Sequence, residues 1–196
     1  MVGILRFRRA RGPVELAVDM AGVRLGERLI QAGVANPRVF AALAGKAGLT
    51  GRACAVVDAA EAGARLEAAA AREGVLVEVS VAAHGRWPYE DASFDVGVLD
   101  GNALLRAGEG DRLDRLNDMR RVVRPGGRVI AVRSWPAGLA LRLGFIAERR
   151  EPSGEAAALR EAMEAAGFRP VRLLAEREGL TFVEGFRPSD DAGAGG

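Results

Sequence analysis

The chain has 196 residues, 49% of them apolar and 28% charged, with a formal net charge of +2 at pH 7. One histidine (His84) and one cysteine (Cys54) exclude a His/Cys metal cluster and an internal disulfide within one chain, and no apolar run approaches the ~18 residues of a membrane-spanning helix. The positive charge is concentrated in the first 13 residues, where Arg6, Arg8, Arg9 and Arg11 stand without an acid, leaving 24 basic against 26 acidic residues in the rest.

That distribution argues against a nucleic-acid-binding surface on the body of the chain. The basic leader, residues 1–13, is expected to fray in solvent and to make at most weak contact with an anionic membrane surface. It carries no long apolar region of the kind a signal peptide needs. The lone cysteine fits a reducing compartment, so a cytoplasmic protein is the expectation. Lys46, the only lysine, has no Gly-x-x-x-x-Gly-Lys-Ser/Thr around it, which excludes a P-loop. No Gly-x-Ser-x-Gly elbow is present for a serine hydrolase.

After Pro13, residues 14–21 read as a short helix. Residues 28–33 read as a first strand ending in glycine, and residues 37–46 as a helix with Asn36 as its N-cap. A second strand over 53–57 is closed by Asp58. An alanine-rich helix over 61–72, a third strand over 75–81 and a fourth over 94–99 follow. Leu113, Leu116, Met119 and Val123 recur at spacings of three and four and predict one apolar helix face. Pro125 cannot continue that helix, and Gly126-Gly127 supply the freedom for a tight reversal into a fifth strand from Arg128. The segment 135–146 is unusually apolar and reads as a core-packed helix or a lid over a lipophilic ligand. A helix over 155–166 ends at Gly167, and strands over 171–175 and 180–184 flank a turn, predicting a terminal hairpin. The tail from 188 is polar, Gly/Ala-rich and expected to be disordered. The chain therefore divides into a leader (1–13), one domain (14–187) and a tail (188–196). Alternating helices and continuous apolar strands imply an α/β domain with a mostly parallel seven-stranded sheet, covered on both faces and ending in an antiparallel hairpin.

Two segments carry a resemblance. Residues 116–131, Leu-Asn-Asp-Met-Arg-Arg-Val-Val-Arg-Pro-Gly-Gly-Arg-Val-Ile-Ala, resemble the helix, "RPGG" turn and fifth strand of class I S-adenosylmethionine (SAM)-dependent methyltransferases of the type 11 or ubiquinone/menaquinone-biosynthesis-like branch. Residues 87–96, Trp-Pro-Tyr-Glu-Asp-Ala-Ser-Phe-Asp-Val, resemble that family's approach to strand four. With the hairpin, the resemblance spans about residues 14–187 in order. It implies a Rossmann-like methyltransferase sandwich, SAM as cofactor and methyl transfer to a small-molecule acceptor.

The same resemblance places the cofactor residues. Gln31-Ala-Gly-Val-Ala-Asn-Pro stands where the family has an acidic residue and a glycine-rich loop. Gly33 matches, Ala35 and Pro37 occupy glycine positions, and Gln31 replaces the carboxylate. Asp58 matches the acid that accepts ribose hydroxyls, a role compatible with capping the next helix. Ala83 stands where relatives carry an aspartate near adenine, with His84 beside it. Two of the three expected cofactor carboxylates are thus absent. Asp100, with Asn102 nearby, is the one carboxylate after strand four where an acceptor would lie, though Asp100-Gly101-Asn102 also reads as a plain turn. No metal ligand set is expected. Three readings stay open: an active methyltransferase, a methyltransferase-like protein that binds a ligand or partner without catalysis, and a nucleotide-binding oxidoreductase, the last disfavoured by the absent glycine fingerprint.

Overall fold

The computed structural model describes residues 12–34, 36–82, 86–134 and 154–189. The basic leader up to Arg11, the sites expected at Ala35, Ala83 and His84, the apolar segment 135–146 and the tail from 190 lie outside them. Chain order is α1 (Pro13–Ala21), β1 (Arg28–Ala32), α2 (Pro37–Ala47), β2 (Arg52–Val57), α3 (Ala60–Glu73), β3 (Glu78–Val81), β4 (Phe94–Asp100), α4 (Gly101–Arg106), α5 (Glu109–Val122), β5 (Val123–Ser134), α6 (Gly154–Ala165), β6 (Val171–Arg177) and β7 (Leu180–Phe186).

The seven strands form one sheet in the order β3-β2-β1-β4-β5-β7-β6. Strands β1 to β5 pair in parallel, and β7 inserts antiparallel between β5 and β6. The chain runs outward from β1 to β3 and then crosses back to β4 on the other side of β1. The β1/β4 junction is therefore the point where strand order reverses, and the crevice beyond its carboxyl ends is where open α/β sheets bind ligands.

Side-chain alternation divides the core into two layers. Leu29, Val96, Ile130 and Phe182 face α1, α2 and α3 through Leu16, Phe40, Leu43 and Leu66. Ile30, Val129, Ala131 and Val183 face the opposite way, toward Leu116 and Met119 of α5 and Leu159 and Met163 of α6. Strands with apolar residues on both faces are what a sheet covered on both sides requires.

Within the described residues the predicted elements are present, with four differences of detail besides a short helix, α4, in place of the turn expected at residues 100–102. The third strand begins at Glu78 rather than Val75, and Leu76 is exposed. Leu113 is 43% exposed and does not join the buried stripe of α5, which is Leu116, Met119 and Val122. Val123 is the first residue of β5, not part of the helix face. The Pro-Gly-Gly reversal lies inside β5: its pairing with β4 steps from Phe94↔Val123 to Val96↔Arg128, so residues 124–127 bulge out of the ladder. Gly126 takes φ +71° in that bulge. A Cβ on Gly127 would fall 2.6 Å from Val123 Cγ1 and 2.9 Å from the Asp95 carbonyl oxygen. Both glycines are thus required, one for conformation and one for close approach.

Arg121 of α5 joins the two segments that carry the family resemblance. Its guanidinium donates to the carbonyl oxygens of Tyr89 (2.7 Å) and Trp87 (3.1 Å), and to Asp91 (2.9 Å) and Asp118 (2.8 Å). Asp118 in turn accepts the Trp87 backbone N–H at 2.7 Å.

Candidate functional site

Three strand ends meet at the switch point. β1 ends in Gln31-Ala32, and Gly33 turns the chain with φ +77°, its N–H donating to the Val56 carbonyl of β2 at 2.9 Å. A Cβ on Gly33 would lie 2.9 Å from the Cβ of Asp100 at the end of β4. The residue must therefore be glycine on both counts, and the loop backbone approaches β4 with no side chain between them.

Gln31 is 5% exposed. Its Nε2 donates to the Gly33 carbonyl at 3.0 Å, which fixes the amide orientation, and its Oε1 is buried without a hydrogen-bond partner among the described residues. An unsatisfied buried acceptor costs about 1–3 kcal/mol, so this oxygen is a place where a ligand donor gains free energy. Asn36 Oδ1 accepts the Arg38 N–H at 3.0 Å and caps α2, as its sequence position predicts.

Asp58 follows β2 directly, at the rim of the crevice. It does not cap α3: the N-cap is Ala59, and no side-chain cap bond forms. Its carboxylate instead pairs with Arg115 of α5, Nη2 to Oδ1 at 3.0 Å. The predicted ribose acid is therefore free of any helix-capping duty but shared with a guanidinium. Arg115 is a neighbour of the candidate ribose acid that sequence reasoning missed, because 57 positions separate the pair and no local pattern marks it.

Asp100 is the N-cap of α4, a short helix where the sequence suggested a turn. Its Oδ1 accepts the N–H groups of Asn102 (2.9 Å) and Ala103 (3.2 Å). Asn102 Nδ2 donates to Ser134 Oγ at 2.8 Å, tying the ends of β4 and β5 together. Gln31, Asn36, Asp100 and Ser134 are the polar part of a cavity of about 190 Å³ whose apolar walls include Ala17, Val39, Val98, Val132 and Leu180. A wider depression of about 550 Å³ lies at the opposite, amino end of β2 and β3, beside exposed Leu49 and Leu76. It is larger but lacks an orphaned buried polar atom, so the cavity at the switch point is the candidate site.

Cys54 is fully buried within the sheet, and burial pushes its thiol up to about 11, so it remains a thiol at neutral pH and serves packing. The structure thus brings Gln31, Gly33 and Asp100 together around one crevice, with Asp58 at the adjoining end of β2.

A parallel sheet with this strand order, closed by an antiparallel β7 and with its crevice at the β1/β4 reversal, defines a Rossmann-like α/β domain of the methyltransferase type. The methyltransferase-domain family profile matches residues 30–131, just over half of the chain, and the chain belongs to that family. Solved structures agree in fold. A SAM-dependent methyltransferase from Aquifex aeolicus is 17% identical, with a TM-score of 0.69 over 89% of each chain. A methyltransferase from Pyrococcus furiosus is 16% identical, with a TM-score of 0.62 over 89% of this chain and 83% of that one. The [4+2]-cyclase SpnF is 16% identical, with a TM-score of 0.64 over 90% of this chain and 80% of its own. No curated protein sequence matches the chain significantly. Among the described residues no helix is long and apolar enough to cross a membrane.

Proposed function

We propose that the protein transfers a methyl group from SAM to a small-molecule acceptor with an apolar body. The observation that carries this reading is the pairing, in a methyltransferase-family sheet, of a glycine that no other residue can replace with an orphaned buried acceptor on Gln31. The residues present fit the cofactor. The Gly33 turn leaves the backbone bare for close approach, Gln31 Oε1 is available to an ammonium hydrogen, and Asp58 can accept ribose hydroxyls beside Arg115. When bound there, SAM supplies an electrophilic methyl group.

The chain's own contribution is placement. Methyl transfer needs an in-line, close approach more than a strong catalytic group, and holding two reactants in register is a large part of the barrier reduction available to an enzyme. Val98, Val132 and Leu180 wall the cavity against water, while Asp100 and Ser134 present polar atoms at the ends of β4 and β5. Asp100 is held by two backbone N–H groups, so its carboxylate does not have to reorganise when an acceptor arrives.

A second reading keeps ligand binding and drops methyl transfer. It is favoured by the uncharged Gln31 and by the engagement of Asp58 with Arg115. The cyclase among the fold neighbours is a reminder that this fold does not dictate one chemistry. Calorimetric titration with SAM and S-adenosylhomocysteine (SAH) tests the first reading. Binding in the micromolar range or weaker is expected, about −8 kcal/mol at best. No heat and no thermal shift at millimolar ligand reject it.

A further inference from the structure

We infer that the β4–β5–β7 end of the cavity is an acceptor pocket selective for a compact amine, which binds as an ammonium group on an apolar body of about one ring and passes one N–H proton to Asp100 Oδ2 so that the freed nitrogen lone pair takes the methyl group and SAH leaves. This rests on the reading of the adjoining Gly33 loop as the methyl-donor site, and deepens it by assigning the acceptor class.

Three observations support the assignment. First, size: the whole cavity, its Gln31 end included, is about 190 Å³, of the order of the ~150 Å³ apolar cavity that holds benzene, so its β4–β5–β7 end takes no body larger than one ring. Second, the walls: Ala17, Val98, Val132 and Leu180 offer hydrocarbon contact, which favours an apolar body rather than a sugar or a phosphate ester. Third, charge: the only formal charge on the described lining is the Asp100 carboxylate, and no Lys or Arg lines the cavity among the described residues. Oδ1 of that carboxylate is occupied by the Asn102 and Ala103 N–H groups, and Oδ2 has no partner among the described residues. The remaining polar side chains, Gln31, Asn36 and Ser134, are neutral.

A carboxylate at the mouth of an apolar cavity gains most from a cation. A bond between an ammonium and a carboxylate is about twice as strong as its neutral counterpart. An anionic acceptor would face Asp100 with no counter-ion among the described lining residues, and desolvating it there has a cost that none of those residues offsets.

Benzylamine, benzyl alcohol and benzoate have the same ring and nearly the same size, and differ in charge. Each is titrated into the protein saturated with SAH, and separately into the protein alone, by calorimetry or ligand-observed NMR. The expected order is benzylamine, then benzyl alcohol, then benzoate, with at least a tenfold gap between the first and last. Asp100→Asn keeps an oxygen for the α4 cap while removing the charge, and is expected to erase the preference for benzylamine over benzyl alcohol. Benzoate binding as well as benzylamine, no binding of any probe, an unchanged preference in Asp100→Asn, or displacement of benzylamine by SAH each overturns the assignment. If SAH itself does not bind, the methyl-donor reading fails, and the titrations of the protein alone still decide the amine preference.

Discussion

Gln31 and Asp58 illustrate opposite limits of what one residue discloses in a sequence. The position of Asp58 was readable, because a carboxylate directly after an apolar strand stands at the carboxyl end of any such sheet. Its partner was not, since Arg115 meets it only through the packing of α5. The Asp58 side of the pair is half exposed, so the pair contributes little to stability. Asp58→Ala is therefore expected to lower SAH affinity by tenfold or more while the unfolding free energy changes by less than about 1 kcal/mol, and a folded variant with wild-type affinity would place the nucleoside elsewhere. Gln31 was readable as a departure from the family pattern, but its bond to the Gly33 carbonyl was not. That bond changes what Gln31→Glu should do. A carboxylate oxygen would replace the donor 3.0 Å from a carbonyl, so the ligand-free variant is expected to lose about 1–3 kcal/mol. SAM, whose ammonium would then meet a charge, should raise the melting temperature of Gln31→Glu by more than it raises that of wild type. An equal or smaller rise in the variant would remove Gln31 from the cofactor site.

At the scale of elements, long apolar strands and periodic helices were legible and their edges were not. Both strands of the terminal hairpin, the N-cap at Asn36 and the β1 to β5 series follow from periodicity and punctuation alone. What periodicity could not resolve is where tertiary packing overrides it. Leu113 keeps the helical spacing but sits beyond the end of the core, and α4 is only one and a half turns long, too short to show a period. Pro-Gly-Gly reads as a reversal because both residue types break helices, yet the backbone continues into β5 through a bulge. The Arg121 network is the other feature hidden at this level. Its two halves are the two segments that resemble the family, and their order in the sequence does not show that they touch. Arg121→Ala removes one donor from two backbone carbonyls and two carboxylates, of which Asp118, Asp91 and the Trp87 carbonyl keep another in the Trp87 N–H, Arg86 and the Tyr89 N–H, so a loss of about 1–3 kcal/mol is expected. Urea denaturation measures it. A loss below ~0.5 kcal/mol, the size of an ordinary surface substitution, would show that the 87–91 segment holds its place without α5.

Across the whole molecule the sheet keeps the candidate crevice at its carboxyl end apart from a charge clamp at its amino end. Asp95, at the start of β4, accepts the Arg28 backbone N–H (2.8 Å) and guanidinium (3.1 and 3.2 Å) from β1, and Arg124 Nε (2.7 Å) from β5. One carboxylate thus ties together the first residues of three neighbouring strands. Burial pushes its carboxyl up, but the bonds from Arg28 and Arg124 outweigh burial and bring it from 3.8 to about 2. Because the folded value is the lower one, the stabilisation is complete above the unfolded value and disappears as pH falls through the folded one. At ~1.4 kcal/mol per pH unit of difference, the charge of Asp95 contributes about 2 kcal/mol at neutral pH. Asp95→Asn keeps the shape and one acceptor oxygen but not the charge. It should unfold about 2 kcal/mol more easily than wild type at pH 7. The gap between the two proteins should narrow as the pH drops from ~4 toward 2, whatever the other carboxylates do, since they are common to both. SAH affinity at pH 7 should be unchanged, because the clamp and the crevice lie at opposite ends of the strands. Urea titrations of both proteins at pH 7 and 2.5, with one calorimetric SAH titration of each, carry the test. A gap of equal size at both pH values would mean that the clamp acts through its shape rather than its charge, and a loss of SAH affinity would mean that the two ends of the sheet are coupled.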